Sequence, residues 1–188
     1  MHFFVFYFLY TDIFCLESST FLFSIQENLK AQKAKGIAML QIRKMQKSDA
    51  ENVLSMMRGF YASPAVFTNG SEEIFRNDIE ECTSDSPWAC GYIFEVDKNI
   101  AGYGMIAFGF STEFGKRIVW IEDIFVQENF RGQGIASAFL HFVQKEFPQF
   151  LHRLEVEKEN LPAMRAYKKA NFHELPYLEM IRNSGTEI

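Results

Sequence analysis

The segment FVQENFRGQGIA, residues 125–136, decides the fold of this chain. It leads from an apolar strand through a loop with two glycines into the start of a helix. Such a loop points several backbone N–H groups in one direction, and the helix start adds free amides and the positive end of its dipole. Gly132 and Gly134 let the backbone approach an anion without a Cβ in the way, and Arg131 can grip phosphate oxygens. The segment therefore predicts a cradle for a pyrophosphate.

Two common nucleotide-binding patterns do not fit this loop. The dinucleotide fingerprint needs G-x-G-x-x-G, and the P-loop needs Gly-Lys-Ser/Thr after its glycines, whereas the sequence here continues as Gly132-Gln-Gly-Ile-Ala. The alternative is a plain turn between strand and helix that needs glycine only for its geometry. The flanking segments have to decide between these two interpretations.

The periodicity of apolar residues predicts the other elements of the chain. A capping box at Ser48–Glu51, in which the hydroxyl and the carboxylate satisfy free amides, starts the first helix, and Ser63-Pro64 ends it. Further helices are predicted over 72–81, over 135–147 and from Asn160. The predicted strands are 40–44, 92–96, 101–110, 116–126, 153–157 and 177–181.

The order of these elements predicts the fold class. Consecutive hairpin strands followed by a strand-helix-strand crossover imply a mixed sheet with helices on its faces. We therefore expect an α/β (α+β) domain with a mostly antiparallel central sheet.

Composition bounds the function. The chain has 188 residues, 48% of them hydrophobic, which suits one folded domain. Its net charge of -5 disfavours a nucleic-acid partner and mildly suits a cationic substrate. The three cysteines lack the spacing of a disulfide framework, zinc knuckle or redox pair. We expect no metal, no membrane partner and a reducing, cytoplasmic setting.

The first 38 residues differ from the rest of the chain and are rich in Phe. They are interpreted as an extra element packed on the domain or a second subunit, as a membrane-associating segment, or as sequence upstream of a natural start at Met39. The last interpretation is favoured because a domain opening follows Met39 directly. The predicted organisation is an extension over 1–38, one domain over 39–183 and a tail over 184–188.

The residues Arg131 to Ala136 resemble the R/Q-x-x-G-x-G/A motif of the GNAT family of N-acetyltransferases. Three flanking features agree with this resemblance: WIEDIFV before the motif, EVEKEN after it, and residues 160–172. Residues 160–172 resemble the family's N-x-x-A-x-x-x-Y-x-x-x-G-F pattern, with Asn171 at the position where Gly is common. Both residues tolerate a left-handed helix end. The resemblance covers about Leu40 to Arg182.

The resemblance implies an acetyl-CoA site and a fold with a splayed pair of parallel strands, here 120–126 and 154–158. The backbone of Phe125 and Val126 would take the pantetheine and thioester. Asn160 would contact the cofactor or only cap its helix. The pyrophosphate would lie on Arg131, Gly132, Gln133, Gly134, Ile135 and Ala136.

The resemblance also implies direct acyl transfer to an amine in a ternary complex, which needs a base, an oxyanion donor and a proton for the thiolate. A backbone amide near Phe125 would be the oxyanion donor. Tyr167 would protonate or hydrogen-bond the CoA sulfur; its alternative role is a core aromatic. Glu122 and Asp123 interrupt an apolar strand, and alternation sends them to opposite faces unless a bulge intervenes. We expect Glu122 to be the base, with a salt-bridged strand end as the alternative.

The expected acceptor is a primary amine of a small molecule, and a homodimer is a further expectation. A protein or peptide N-acetyltransferase is one alternative. A non-catalytic acyl-CoA-binding regulatory module is another, because a fold does not guarantee turnover.

Overall fold

A five-stranded sheet in the order β1-β2-β3-β4-β5 forms the centre of the computed structural model, which describes residues 39–66 and 68–182. The predictions for residues 1–38 and 184–188 lie outside these ranges. The strands are β1 (Leu40–Lys44), β2 (Ala89–Val96), β3 (Asn99–Ser111), β4 (Lys116–Val126) and β5 (Leu151–Leu154). The helices are α1 (Ala50–Tyr61), α2 (Glu72–Thr83), α3 (Ile135–Glu146) and α4 (Leu161–Lys169), with short 3-10 helices at Lys47–Asp49 and Glu128–Phe130.

The predicted fold class is confirmed by the pairing of the strands. β1 to β4 pair antiparallel with their neighbours, and β5 pairs parallel with β4. The parallel pairing runs from Ile118↔Leu151 to Ile121↔Leu154, while β4 continues to Val126. The strand predicted over 153–157 was therefore misplaced, because β5 ends at Leu154. The two parallel strands separate there, and the residues that follow pair with no strand in the described structure.

Helices cover both faces of the sheet, and each face has its own apolar core. The amphipathic helices α3 and α4 bury Phe139, Leu140 and Ala170 against one face. The helices α1 and α2 bury Leu54 and Phe75 against the other. The strand side chains alternate between these cores, as the pleat requires.

The predicted capping box at Ser48–Glu51 was wrong, because the box lies two residues earlier, at Gln46–Asp49, around the short 3-10 helix. The Asp49 carboxylate accepts a hydrogen bond from the Gln46 amide at 2.8 Å, just before α1. It also accepts two from the Arg43 guanidinium, at 2.7 and 2.9 Å. This ion pair holds the pKa of Asp49 below its usual value. The Asp49 carboxylate thus links the start of α1 to β1.

The predicted last strand, 177–181, was also wrong. This segment pairs with no strand of the described structure, and Leu178, Met180 and Ile181 are exposed. The Tyr177 hydroxyl donates to the Glu113 carboxylate at 2.6 Å. Alternation of apolar residues predicts a strand only where a neighbouring strand can pair with it.

Among the described helices, none combines the length and the apolar character that crossing a membrane requires.

Candidate active site

A β-bulge in β4 places two acidic residues together. Met105 of β3 pairs with Asp123, but the next residue, Ile106, pairs with Ile121, so Glu122 has no opposite residue. One extra residue in a strand breaks the alternation of side chains between faces. Both Glu122 and Asp123 consequently line the same cleft.

This cleft has a volume of about 190 Å³. Helices α1 and α2 form one wall and the strands β2 to β4 form the other. Its lining contains four carboxylates and no basic residue. The cleft therefore favours a positively charged ligand. The lining residues are Tyr61, Asp78, Glu81, Cys82, Ala89, Met105, Ile106, Glu122 and Asp123.

Asp123 is the buried member of the pair, at 4% exposure. Its carboxylate accepts hydrogen bonds from the Tyr103 hydroxyl at 2.9 Å and from the Tyr61 hydroxyl at 3.3 Å. Burial raises the pKa of Asp123 to about 6, although these two hydrogen bonds oppose the rise. The carboxylate is therefore mostly ionised at neutral pH while it has only neutral donors beside it.

Glu122 is the solvent-accessible member of the pair. The cleft walls partly shield its carboxylate from water, and Asp123 and Asp78 add negative charge. Desolvation and then these charges raise the pKa of Glu122 to about 7. A carboxylate with a pKa near neutral pH is suited to accept a proton there. No salt bridge joins Glu122 to a described residue, which disfavours the salt-bridged alternative.

The glycine loop has the local geometry of an anion cradle. Gly132 and Gly134 have left-handed φ angles of 77° and 80°, and the space where a Cβ would stand is open at both. Gly134 is the N-cap of α3, and no side chain caps this helix. The free amides of the first turn are therefore left for a ligand or water. Gln133 is exposed, Ala136 half-buried, and Ile135 is anchored in the core.

Arg131 follows the 3-10 helix Glu128–Phe130, and its Nε donates a hydrogen bond back to the Val126 carbonyl at the end of β4, at 3.0 Å. This contact ties the exposed guanidinium to the strand end and leaves its terminal nitrogens available. The neighbouring Phe125 ring packs against Phe60 and Tyr103, with ring centroids 5.9 Å apart in both cases. The Phe125 side chain is thus fixed on the α1 side of the sheet, and its backbone lies beyond the last parallel pair.

Tyr167 projects from α4 and is half-buried, with its ring 6.2 Å from that of Phe172. Burial, and next the charge of Asp123, raise the pKa of Tyr167. Tyr167 therefore lies within electrostatic reach of Asp123 and stays protonated at neutral pH. Within the described residues, the Tyr167 hydroxyl forms no side-chain hydrogen bond.

Asn160 is the N-cap of α4, and its Oδ1 accepts a hydrogen bond from the Ala163 amide at 3.3 Å. The helix-cap role is thus present. Its side-chain NH₂ group is not used by this cap, so contact with a cofactor stays a prediction.

Of the residues that line the cleft, the sequence pattern singled out only Glu122 and Asp123. It did not point to Tyr61, at the end of α1, or to Asp78 of α2. An acidic residue on a helix face toward the sheet is the one feature that could have pointed to Asp78. No three His, Cys, Asp or Glu side chains of residues 39–66 and 68–182 are placed to share a metal ion.

Comparisons with known proteins agree with the geometry. Residues 54–172 match the acetyltransferase (GNAT) family. Thialysine N-epsilon-acetyltransferase from Sus scrofa is 30% identical over 158 residues, covering 76% of this chain and 89% of the relative. The same enzyme from Bos taurus is 29% identical with equal coverage. An aminoglycoside N-acetyltransferase solved in complex with CoA shares the fold, with a TM-score of 0.64 at 18% identity over 79% of this chain and 97% of that one.

Proposed function

The chain belongs to the acetyltransferase (GNAT) family and is an N-acetyltransferase, and we propose that it transfers an acetyl group from acetyl-CoA directly to a primary amine of a small molecule. The observation that carries this proposal is the bulge at Glu122. It places a carboxylate with a pKa near 7 in an acidic cleft, on the strand whose far end leads into the glycine loop.

The residues of the loop and of β4 fit a CoA thioester. The open left-handed glycines and the uncapped start of α3 offer amides to a pyrophosphate. Beyond Ile121, β4 pairs with no strand on its β5 side, so the backbone of Phe125 and Val126 can pair with an extended pantetheine arm as with an added strand. Acetyl-CoA itself supplies an electrophilic thioester carbon and a thiolate leaving group.

Glu122 performs the first proton transfer in this proposal. Its carboxylate takes one proton from the acceptor ammonium, directly or through water, which frees the nitrogen lone pair. The nitrogen attacks the thioester carbon, so a C–N bond forms while the C–S bond breaks. A backbone amide near Phe125 donates to the oxygen that becomes negative during attack.

Tyr167 performs the second proton transfer. Its hydroxyl donates a proton to the departing CoA sulfur. The extra proton on the new amide nitrogen returns through solvent to the Tyr167 phenolate, and Glu122 releases its proton to solvent. The raised pKa of Tyr167 keeps the hydroxyl proton in place until the thiolate forms. No acyl group is attached to the protein at any stage.

The acidic lining of the cleft supports a cationic acceptor. The curated relatives act, by their name, on the N-epsilon amine of thialysine, which is a primary amine at the end of a chain. A cleft of about 190 Å³ is smaller than the roughly 300–1,000 Å³ of sites for drug-sized ligands. A slender acceptor therefore fits better than a multi-ring one. A cytoplasmic location and a homodimer are further parts of this proposal.

Release of CoA thiol from acetyl-CoA tests the proposal across a panel of polyamines, amino acids including thialysine, aminoglycosides and peptides. We expect release that depends on a small amine and exceeds the hydrolysis measured without an acceptor. Tight binding of acetyl-CoA without release for any acceptor would instead support the non-catalytic acyl-CoA-binding module. Release with peptides alone would support a protein acetyltransferase.

A further inference from the structure

Asp123 differs from the other buried carboxylate among the described residues, Asp49. Asp49 is paired with the Arg43 guanidinium at 2.7 Å. Asp123, at 4% exposure, forms no salt bridge within the described part of the chain and accepts hydrogen bonds only from two tyrosines. Burial of a carboxylate without a cation is unfavourable, so the arrangement around Asp123 costs stability and calls for a functional reason.

The two tyrosines hold this carboxylate from different elements. Tyr61 is the last residue of α1, and Tyr103 belongs to β3. Both have a raised pKa, caused first by burial and then by the charge of Asp123. They therefore remain protonated donors at neutral pH. Their two hydrogen bonds fix the Asp123 carboxylate beside the bulge.

The groups around Glu122 come from five parts of the structure. Among the neighbouring charges, Asp123 raises the pKa of Glu122 most, because it is adjacent in the chain and lines the same cleft. The other groups are not cations. They are Asp78 of α2, Tyr61 of α1, Glu155 directly after β5 and Glu179 near the C-terminus.

Resting on the proposed function, we propose that Asp123 is a positioning residue that sets the basicity of Glu122. Its carboxylate, held by Tyr61 and Tyr103, keeps a second negative charge next to the bulge. Glu122 consequently takes a proton from an acceptor ammonium more readily than an isolated glutamate would. The step is R–NH₃⁺ + Glu122–COO⁻ → R–NH₂ + Glu122–COOH, and Asp123 neither gains nor loses a proton in it.

A titration of the Glu122 side-chain carboxyl by ¹³C NMR tests this proposal without any acceptor. Glu122→Gln assigns the resonance. In the unaltered protein we expect a midpoint near pH 7, in line with its pKa of about 7. Asp123→Asn keeps the shape but removes the charge, and should lower the midpoint by about one pH unit. The control Asp97→Asn removes one charge from the exposed β2–β3 turn, outside the cleft lining, and should leave the midpoint unchanged; asparagine tolerates the φ of 49° there.

A second variant covers the case in which Asp123→Asn does not fold. Tyr103→Phe removes the shorter hydrogen bond, so Asp123 protonates at higher pH and loses charge near neutral pH. The Glu122 midpoint should then move down, by less than in Asp123→Asn. An unchanged Glu122 midpoint in Asp123→Asn, or in Tyr103→Phe when that is the variant that folds, would overturn the proposal.

The pH profile of acetyl transfer separates this inference from the proposed function. In Asp123→Asn, the acid limb of kcat/KM should move down with the Glu122 midpoint while transfer persists. Loss of transfer at every pH would overturn the inference, because it would make Asp123 the base itself. Absence of transfer in the unaltered protein with every amine would count against the proposed function, and the NMR titration would still decide the role of Asp123.

Discussion

Glu122 and Asp123 are consecutive in β4, yet both carboxylates line one cleft, because the bulge leaves Glu122 without an opposite residue on β3. In a regular strand they would point to opposite faces. The bulge thereby creates a pair in which Asp123 is buried and hydrogen-bonded while Glu122 meets solvent. Different surroundings thus give two neighbouring carboxylates different exposure to solvent.

Replacement of the base should remove one limb of the pH profile. Only the ionised carboxylate accepts a proton, so kcat/KM of the unaltered enzyme should rise with pH through the Glu122 pKa of about 7. Glu122→Gln should lower kcat/KM by about 100-fold or more at pH 8 and lose this limb. The control Glu146→Gln, at the exposed end of α3, should behave like the unaltered enzyme. A Glu122→Gln enzyme with normal turnover at pH 7 would show that another group is the base.

Removal of the buried charge should change the dependence of stability on pH. The pKa of Asp123 rises from 3.8 to about 6 on folding, so the group stabilises the protein below pH 4 and this contribution is lost as pH rises through 6. The shift corresponds to about 3 kcal/mol at most. Between pH 4 and pH 8, the free energy of unfolding of Asp123→Asn should therefore gain up to about 3 kcal/mol relative to the unaltered protein. Urea unfolding at each pH measures this free energy. A difference between the two proteins that did not change with pH would contradict the assigned cost of burying the Asp123 charge.

A methyl group in the glycine loop should weaken acetyl-CoA binding. Gly134→Ala and Gly115→Ala both place alanine at a left-handed φ, of 80° and 60°, with open space around the Cβ. Both should lose about 1–2 kcal/mol of stability, since the backbone strain is alike. Only Gly134→Ala should also raise the Kd for acetyl-CoA, measured by calorimetry, because its backbone faces the proposed pyrophosphate. An equal Kd for both variants would show that the pyrophosphate of acetyl-CoA does not bind at Gly134.

Loss of one hydroxyl on α4 should slow turnover without weakening cofactor binding. Tyr167→Phe should lower kcat by at least about 10-fold and leave the KM for acetyl-CoA within about twofold. The matched control is Tyr177→Phe, which removes an exposed hydroxyl bonded to Glu113. It should leave both constants unchanged. If Tyr167→Phe matched this control, the role of Tyr167 would be packing against Phe172.

Local patterns predicted much of this fold. β4 runs from Lys116 to Val126 as predicted, and α3 starts at Ile135 directly after the glycine loop. These elements depend on alternation, helical periodicity and glycine positions, which are all visible within a short stretch of chain. The loop between β4 and α3 was predictable for the same reason.

Features that depend on distant partners were not predictable from local patterns. The sequence allowed for a bulge at Glu122 and Asp123 but did not predict one. Its position depends on the register between Met105 of β3 and Asp123 of β4. The capping box at Gln46–Asp49 also involves Arg43 of β1, whose guanidinium bonds the Asp49 carboxylate. Asp78 lines the cleft only because α2 packs on the sheet face that carries Asp123.

The fate of the acetyl group tests the central claim most directly. Acetyl-CoA labelled with ¹³C in its acetyl group would be mixed with the protein and an amine that supports CoA release, and products and protein would be analysed by mass spectrometry. The account predicts label on the amine nitrogen of the acceptor, equimolar free CoA and an unlabelled protein. Label retained on CoA, or attached covalently to the protein, would contradict direct transfer.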